Sequence, residues 1–224
     1  MSTEQSSQPH LTLYRGFEDR GCYVWSPFVT KLELRLRLSQ FPYTVGTGSP
    51  TTAPKGKIPY VELGTEEGPS SVLGDSTLII KHMVEFGYVK NLDVSKSSTM
   101  QAQDLAIRAL LEDRLYFYDI QGTGRYTDDE IRLLKREIWG AINELLESSL
   151  RQMEQKSPQD EPFWCFGGAT PTEADTVLYG FIVSVLVSQS APESRKLLKG
   201  FPVIMIYAER IHVKHFPDYE KWEQ

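Results

Sequence analysis

The chain is poor in the residues that build metal centres and disulfide frameworks. It has 2 cysteines, Cys22 and Cys165, and 4 histidines, His10, His82, His212 and His215. Cysteines so few and so far apart cannot staple a small scaffold, and they read as reduced thiols. No residues stand at zinc-ligand spacing, and His212 and His215 lack a carboxylate-rich or cysteine-rich partner segment, so no metal is expected. A basic excess is missing too. The 24 Lys+Arg against 30 Asp+Glu leave a net charge of −6, which argues against nucleic acid or an anionic membrane as partner. Long apolar runs are also absent. The longest, Val177 to Val187, is interrupted by Gly180 and Ser184 and falls short of the roughly 20 residues that span a bilayer. Residues 1–10 are polar and carry no secretory signal. The expectation is a cytoplasmic protein with no transmembrane segment.

The composition that remains is that of a folded protein. Hydrophobic residues make up 40% and charged residues 24% of the 224 positions, enough for two small domains of ordinary balance. The reading along the chain gives a disordered lead at 1–10, an α/β domain at 11–90, a linker at 91–100 and an all-helical domain at 101–224. Leu11 to Tyr14 reads as a strand. Ser26-Pro27 then opens a helix, with Ser at the N-cap and Pro at the first helical position. Lys31 to Leu38 alternates charged and apolar residues as a strand would, but the cap and the good helix formers decide for a helix. Phe41 to Val45 is the next expected strand, followed by a Gly/Ser/Thr/Pro loop over 46–54. Lys57 to Leu63 reads as a strand with Pro59 at its start, where a missing N–H is tolerated. Ser71 to Leu73 is a further strand, and Asp75-Ser76 caps a helix over Thr77 to Phe86. The order is β-α-β-loop-β-β-α.

Beyond the linker the pattern is helical. Gln101 to Tyr118 reads as one helix. Asp128 to Met153 is long and amphipathic, with Ile131, Leu134, Ile138, Ile142, Leu145 and Leu146 on its apolar side. Thr172-Glu173-Ala174-Asp175 resembles a capping box, and the helix it opens is apolar nearly all round, as a buried central helix would be. Val203 to Val213 is the last expected helix.

This order, with a helical domain after a linker, resembles the glutathione transferase superfamily, and specifically its metaxin and failed-axon-connections branch with the fungal relatives. The residues that carry the likeness are Ser26-Pro27-Phe28 with Lys31-Leu32-Glu33, Gly56 to Glu62, Gly74-Asp75-Ser76 and Gly122-Thr123-Gly124-Arg125. Pro171 to Asp175, Ala208 to Ile211 and Phe216-Pro217-Asp218 follow later. The resemblance implies a thioredoxin-like N-terminal domain plus an all-α C-terminal domain. It implies a glutathione transferase of the detoxification type, with glutathione as co-substrate and a small hydrophobic electrophile as partner. A homodimer also goes with the family. The alternative that the branch suggests is a non-catalytic, metaxin-like scaffold or interaction protein with a vestigial glutathione site, peripheral at the mitochondrial outer membrane.

Ser26 is the candidate catalytic residue. A thiol with a pKa of about 8.5 must shift by about two units to be mostly ionised at neutral pH, which is about 2.7 kcal/mol. A hydroxyl hydrogen bond to a charged sulfur contributes about 1.5–3 kcal/mol, and helix N-terminal amides add about 0.3–1 kcal/mol. A serine at the first turn of a helix can therefore supply the shift, or it can simply cap that helix. Tyr14, where other transferase classes place a thiolate-stabilising tyrosine, and Cys22, four residues before Ser26, are the alternatives. For the tripeptide, the resemblance assigns a cis Ile58-Pro59 turn to the cysteinyl backbone. It gives Ser76 and the helix amides to the γ-glutamyl carboxylate, Asp75 to the ammonium, and Lys57 or Lys55 to the glycyl carboxylate. Arg125 reaches over the cleft or lies at the surface. Tyr116, Phe117 and Tyr118 either wall a co-substrate pocket or pack between domains. Asp175 is the buried capping carboxylate, with a role in folding.

Overall fold

The computed structural model describes residues 9–17, 19–64, 69–118, 126–154 and 160–222. The expected Gly122 to Arg125 turn lies outside them. The chain divides into two compact units, Met1–Arg20 with Leu32–Asn91 and Gly21–Lys31 with Leu92–Gln224.

The first unit is built on a four-stranded sheet. β1 (His10–Tyr14), β2 (Thr44–Gly46), β3 (Tyr60–Gly64) and β4 (Ser71–Gly74) stand in the order β2-β1-β3-β4. β1 and β2 are parallel, as a helical crossover through α1 (Pro27–Leu38) permits. The β1–β3 and β3–β4 pairs are antiparallel. Alternation along the strands sends Leu11, Leu13, Val61 and Leu63 to one face. There they are buried with Leu32 and Leu36 of α1 and with Ile79, Ile80 and Met83 of α2 (Ser76–Glu85). β2 is shorter than the expected 41–45, because Phe41 is spent in that core instead. β3 begins only after Pro59, which cannot donate to a ladder.

The ambiguous segment is a helix, as the cap predicted, and its charged residues explain the misleading alternation. Val29 through Leu36 are all buried. Glu33 meets Arg15 at 3.5 Å with both side chains fully buried. Lys31 Nζ meets Glu112 at 2.7 Å, and Arg35 donates to Ser39 Oγ at 2.5 Å and to the Lys90 carbonyl. Charges tolerated inside only when partnered are here partnered.

The second unit is helical. α3 (Ser98–Ala109) runs into a π-helical stretch at Leu110–Leu115, where the sequence reads one continuous helix from Gln101 to Tyr118. The wider turn buries Leu111 and Leu115 on one side and still brings Glu112 to Lys31. α4 (Asp128–Glu154), α5 (Glu173–Val187), α6 (Pro192–Lys199) and α7 (Pro202–His215) follow. α6 is not among the expected elements. Every residue from Ala174 to Val183 is buried, so α5 is the centre of this unit, packed against α3, α6, α7 and the π stretch. Its start is fixed by Asp175, which accepts from the Thr172 N–H at 2.7 Å, the Cys165 N–H at 2.7 Å and Tyr207 Oη at 2.9 Å. Asp104 adds a bond to the Ala174 N–H at 2.7 Å. Among the described residues, no helix is long and apolar enough to cross a membrane. Among the same residues, no group of His, Cys, Asp or Glu is placed to hold a metal ion.

Candidate functional site

In the first unit, one end of the sheet collects the tripeptide candidates. The antiparallel registers pair Tyr14 with Tyr60 and Tyr60 with Gly74. Pro59, just before Tyr60, and Asp75, just after Gly74, therefore leave the β3–β4 ladder side by side. The Ile58-Pro59 bond is cis. Among the described residues neither the N–H nor the C=O of Ile58 makes a hydrogen bond. Gly16 sits at φ +86°, a backbone conformation that favours glycine, and lies against the Ile58 side chain, whose Cδ1 would stand 2.6 Å from a Cβ there. Pro54 and Lys55 pack over Gly74, and Lys55 and Lys57 are exposed.

Asp75 caps α2 with one oxygen. Its Oδ1 accepts from the Thr77 N–H at 3.0 Å and the Leu78 N–H at 3.1 Å, with φ at +79°. A non-glycine residue in that region is strained, and such residues concentrate at functional sites. Ser76 follows, only 4% exposed, and its hydroxyl makes no hydrogen bond among the described residues. Tyr14, by contrast, is engaged. Its ring stacks on Tyr60 at 4.5 Å and its hydroxyl donates to Glu62 Oε2 at 2.9 Å. That bond to a carboxylate, and burial after it, hold the Tyr14 hydroxyl above the ordinary tyrosine pKa.

In the second unit, the segment Gly21–Trp25 leads into Ser26 and the first turn of α1. Ser26 is 4% exposed. Its carbonyl, not its hydroxyl, serves the helix start, accepting from the Val29 N–H at 3.2 Å and the Thr30 N–H at 3.4 Å. The Ser26 hydroxyl makes no hydrogen bond among the described residues, so the capping role for its side chain is not what this helix uses. A cleft of ≈ 220 Å³ is walled by Trp25 and Pro27, the chain neighbours of Ser26, and by Tyr116, Phe181 and Val185, with Ser184, Ser188 and Ser190 at its polar side; Ser26 itself does not line it. Among the described residues no charged side chain lines it.

The comparisons with known proteins meet this geometry. Residues 27–130 match the family model of the glutathione S-transferase N-terminal domain. Among solved structures, Ure2p in complex with glutathione is similar at 15% identity and a TM-score of 0.61, over 96% of this chain and 95% of that one. The fold is that of the glutathione transferases. Glutathione transferase Omega 1C from Trametes versicolor is similar at 16% identity, with a TM-score of 0.59 over 95% of this chain and 92% of that one. A glutathione transferase family member from Pseudomonas fluorescens pf-5 with two glutathione bound gives 16% identity and a TM-score of 0.59, over 96% and 95%. No curated protein matches the sequence significantly.

Within the glutathione transferase fold, the N-terminal candidates separate by what occupies them. Among the described residues Ile58, Ser26 and Ser76 carry polar groups with no partner, Asp75 keeps one oxygen on the helix amides, and Tyr14 is bound to Glu62. Cys22 is a half-buried thiol outside any disulfide. Of the three aromatics after the linker, Tyr116 lines the cleft, while Tyr118 packs edge-on against Tyr126. Sequence reasoning missed Gly16 and Gly180. At Gly180 a Cβ would fall on the Pro27 carbonyl oxygen and lie 3.1 Å from the Lys31 N. The signal was present: a glycine inside an otherwise apolar helix costs about 1 kcal/mol against alanine and asks for a packing reason. Trp25 and the α5–α6 turn gave no such signal.

Proposed function

We propose that this protein binds glutathione and that Ser26 activates its thiol for attack on a small, neutral aromatic electrophile held in the cleft. The observation that carries the reading is the set of polar groups without partners. The Ser26 and Ser76 hydroxyls and the Ile58 backbone N–H and C=O make no hydrogen bond among the described residues, although both serines are 4% exposed. Neither hydroxyl oxygen is among the sealed, unpartnered atoms of the described residues, and Ile58 is half-buried, so each group is open to an arriving ligand. They supply what the tripeptide needs: a donor for sulfur, a donor for the γ-glutamyl carboxylate, and a strand-like pair for the cysteinyl backbone. The positive end of the α2 dipole favours that carboxylate further. Asp75 Oδ2 serves the ammonium and Lys57 the glycyl carboxylate.

The Ser26 hydroxyl donates to the thiolate and keeps its own proton. The thiol proton leaves to water, the sulfur attacks the ring carbon that bears the leaving group, the C–S bond forms and the halide departs with its electron pair. Tyr14 is the weaker activator because its hydroxyl would first have to leave Glu62. Cavity size limits the electrophile. About 150 Å³ takes one benzene ring, and drug-sized ligands use about 300–1,000 Å³, so ≈ 220 Å³ suits a single substituted ring. The uncharged lining selects a neutral one. Cytoplasmic residence and a homodimer belong to the same reading.

Retention on glutathione-agarose, together with turnover of a one-ring aryl halide, tests it. Retention with turnover supports the transferase. Retention without turnover of any neutral aryl electrophile removes the catalytic half. Absence of retention removes the whole and favours the non-catalytic interaction protein that the metaxin and failed-axon-connections resemblance suggests.

A further inference from the structure

The segment that delivers Ser26 is held at four points by the helical unit to which it belongs. The Gly21 carbonyl accepts from the Glu220 N–H at 2.6 Å, and a Cβ on Gly21 would stand 3.2 Å from the Asp218 carbonyl. Ser184 Oγ on α5 donates to the Trp25 carbonyl. Gly180 lets α5 lie against the backbone of Pro27 and Lys31. The fourth point is a polar chain through an aromatic box. Tyr23 Oη lies 2.7 Å from His212 Nδ1 on α7 and 2.6 Å from Tyr179 Oη on α5. The Tyr23 ring is also 5.3, 5.1 and 5.9 Å from those of Phe216, Tyr219 and Trp222. Both Tyr23 and His212 are buried, at 8% and 7% exposure.

We infer that Tyr23 and His212 form a clasp that fixes the position of the Ser26 hydroxyl, acting as positioning residues for the proposed transfer. This rests on the reading of Ser26 as the thiol activator. Packing of the Tyr23 ring alone would hold the segment's depth. The hydroxyl bonded on two sides also fixes its rotation and its register along α7, and Ser26 is only three residues further on. A hydrogen bond to sulfur weakens steeply with misalignment, so a small rotation of this segment costs thiolate stabilisation without disturbing residues that hold the tripeptide from the sheet. Burial, and Lys221 after it, keep the His212 imidazole below the ordinary histidine pKa. It is therefore neutral at neutral pH and leaves the bond to Tyr23 uncharged. Tyr179, at the middle of the buried α5, ties the clasp to the core of the unit.

Three variants of the full chain test the clasp. Tyr23→Phe and His212→Phe keep the ring packing and remove the bond, whereas His212→Asn places an amide where Nδ1 stands. For the first two we expect kcat to fall about tenfold, with the KM for glutathione within about twofold of wild type and the pKa of the bound thiol higher by about one unit. His212→Asn restores most of the kcat. Amide hydrogen exchange over residues 21–28 should quicken about tenfold in the two phenylalanine variants and recover in the asparagine variant. Wild-type kcat and wild-type exchange in Tyr23→Phe would overturn the inference, and so would equal losses of kcat and glutathione affinity, which mark general damage. If wild-type protein neither retains nor turns over glutathione, the functional reading fails by that result. The exchange pattern and its rescue then still decide whether the clasp holds the segment.

Discussion

Replacing Ser26 by alanine separates a helix cap from a thiol activator, because the two roles predict opposite balances of stability and chemistry. A serine that caps through its side chain costs about 1 kcal/mol when truncated. Here the bonds from the Val29 and Thr30 N–H groups go to the Ser26 carbonyl, which alanine keeps, and the hydroxyl has no partner to lose. Stability should therefore change by no more than about 0.5 kcal/mol, the range of substitutions that touch no special feature. That is a Tm shift of about 2 °C or less for a chain of this size. With glutathione bound the comparison reverses. The lost bond to charged sulfur is worth about 1.5–3 kcal/mol, and at about 1.36 kcal/mol per unit the bound thiol should titrate about one to two units higher. The ultraviolet absorbance of the thiolate, followed against pH, measures this directly. The acid limb of kcat/KM for the electrophile, measured with glutathione saturating, should move up by the same amount, because the species that then meets the electrophile is the enzyme with its thiol bound. Retention on immobilised glutathione should persist. Two results would refute the reasoning: an unchanged thiol titration, or a loss of about 1 kcal/mol in stability with unchanged chemistry, which would make Ser26 a cap after all.

Other perturbations test neighbouring steps. Tyr14→Phe keeps the stack on Tyr60 and removes the bond to Glu62, so turnover should stay within about twofold of wild type, while a large loss would make Tyr14 the activator. In the same variant the Glu62 carboxyl, held below its ordinary value first by Ser70 and then by Tyr14, should titrate higher by NMR. A depressed carboxyl stabilises the fold above its ordinary pKa and gives that up as pH falls through the depressed value, so the variant should show a smaller loss on acidification. Asp175→Ala leaves the Cys165 and Thr172 N–H groups and the Tyr207 hydroxyl without their acceptor. At about 1–3 kcal/mol for each buried orphan, urea unfolding should show a loss of about 4 kcal/mol or more, and a loss under about 1 kcal/mol would remove the folding role given to it. Gly180→Ala should lose about 1–3 kcal/mol by overpacking despite alanine's better helix propensity, since the new Cβ meets backbone rather than a flexible side chain. A more stable variant would show that α5 and α1 can part cheaply.

What could be read in the sequence follows the range of each signal. The β-α-β-loop-β-β-α order rested on local punctuation, and Pro27, Pro59 and Asp75 each sit at an element boundary in the structure. The alternation of Lys31 to Leu38 misleads because periodicity assumes that polar residues face water. Lys31, Glu33 and Arg35 are instead buried, with Glu112, Arg15 and the Lys90 carbonyl as partners, and those lie up to 81 residues away. The π stretch is invisible for the same reason: Leu111, Glu112 and Leu115 fit an α-helix locally, and only packing makes the wider turn worthwhile. The cleft had even less signal. Its walls come from Trp25, Pro27, Tyr116 and the turn after α5, and no periodic pattern in any one of these segments states which neighbour its face will meet. Tyr23 and His212 are 189 residues apart. No spacing rule relates them.

The two serines show how a local rule can be right about position and still miss the use. Both stand at helix starts, where a hydroxyl ordinarily bonds the amides of the first turn. In α2 those amides are already taken, because Asp75 serves Thr77 and Leu78 with a single oxygen. Ser76 is thereby displaced into the first helical position, with its hydroxyl unused. In α1 the first position is Pro27, which has no N–H to satisfy, and the Ser26 carbonyl takes the Val29 and Thr30 amides. Neither helix start thus uses its serine side chain. Each serine is only 4% exposed as a residue, yet its hydroxyl oxygen is not sealed from solvent and is not used by the helix beside it. Such a hydroxyl is ready to exchange water for an acceptor that arrives with a ligand. A thiolate for Ser26 and a carboxylate for Ser76 fit both positions, since each lies where the positive end of a helix already favours an anion.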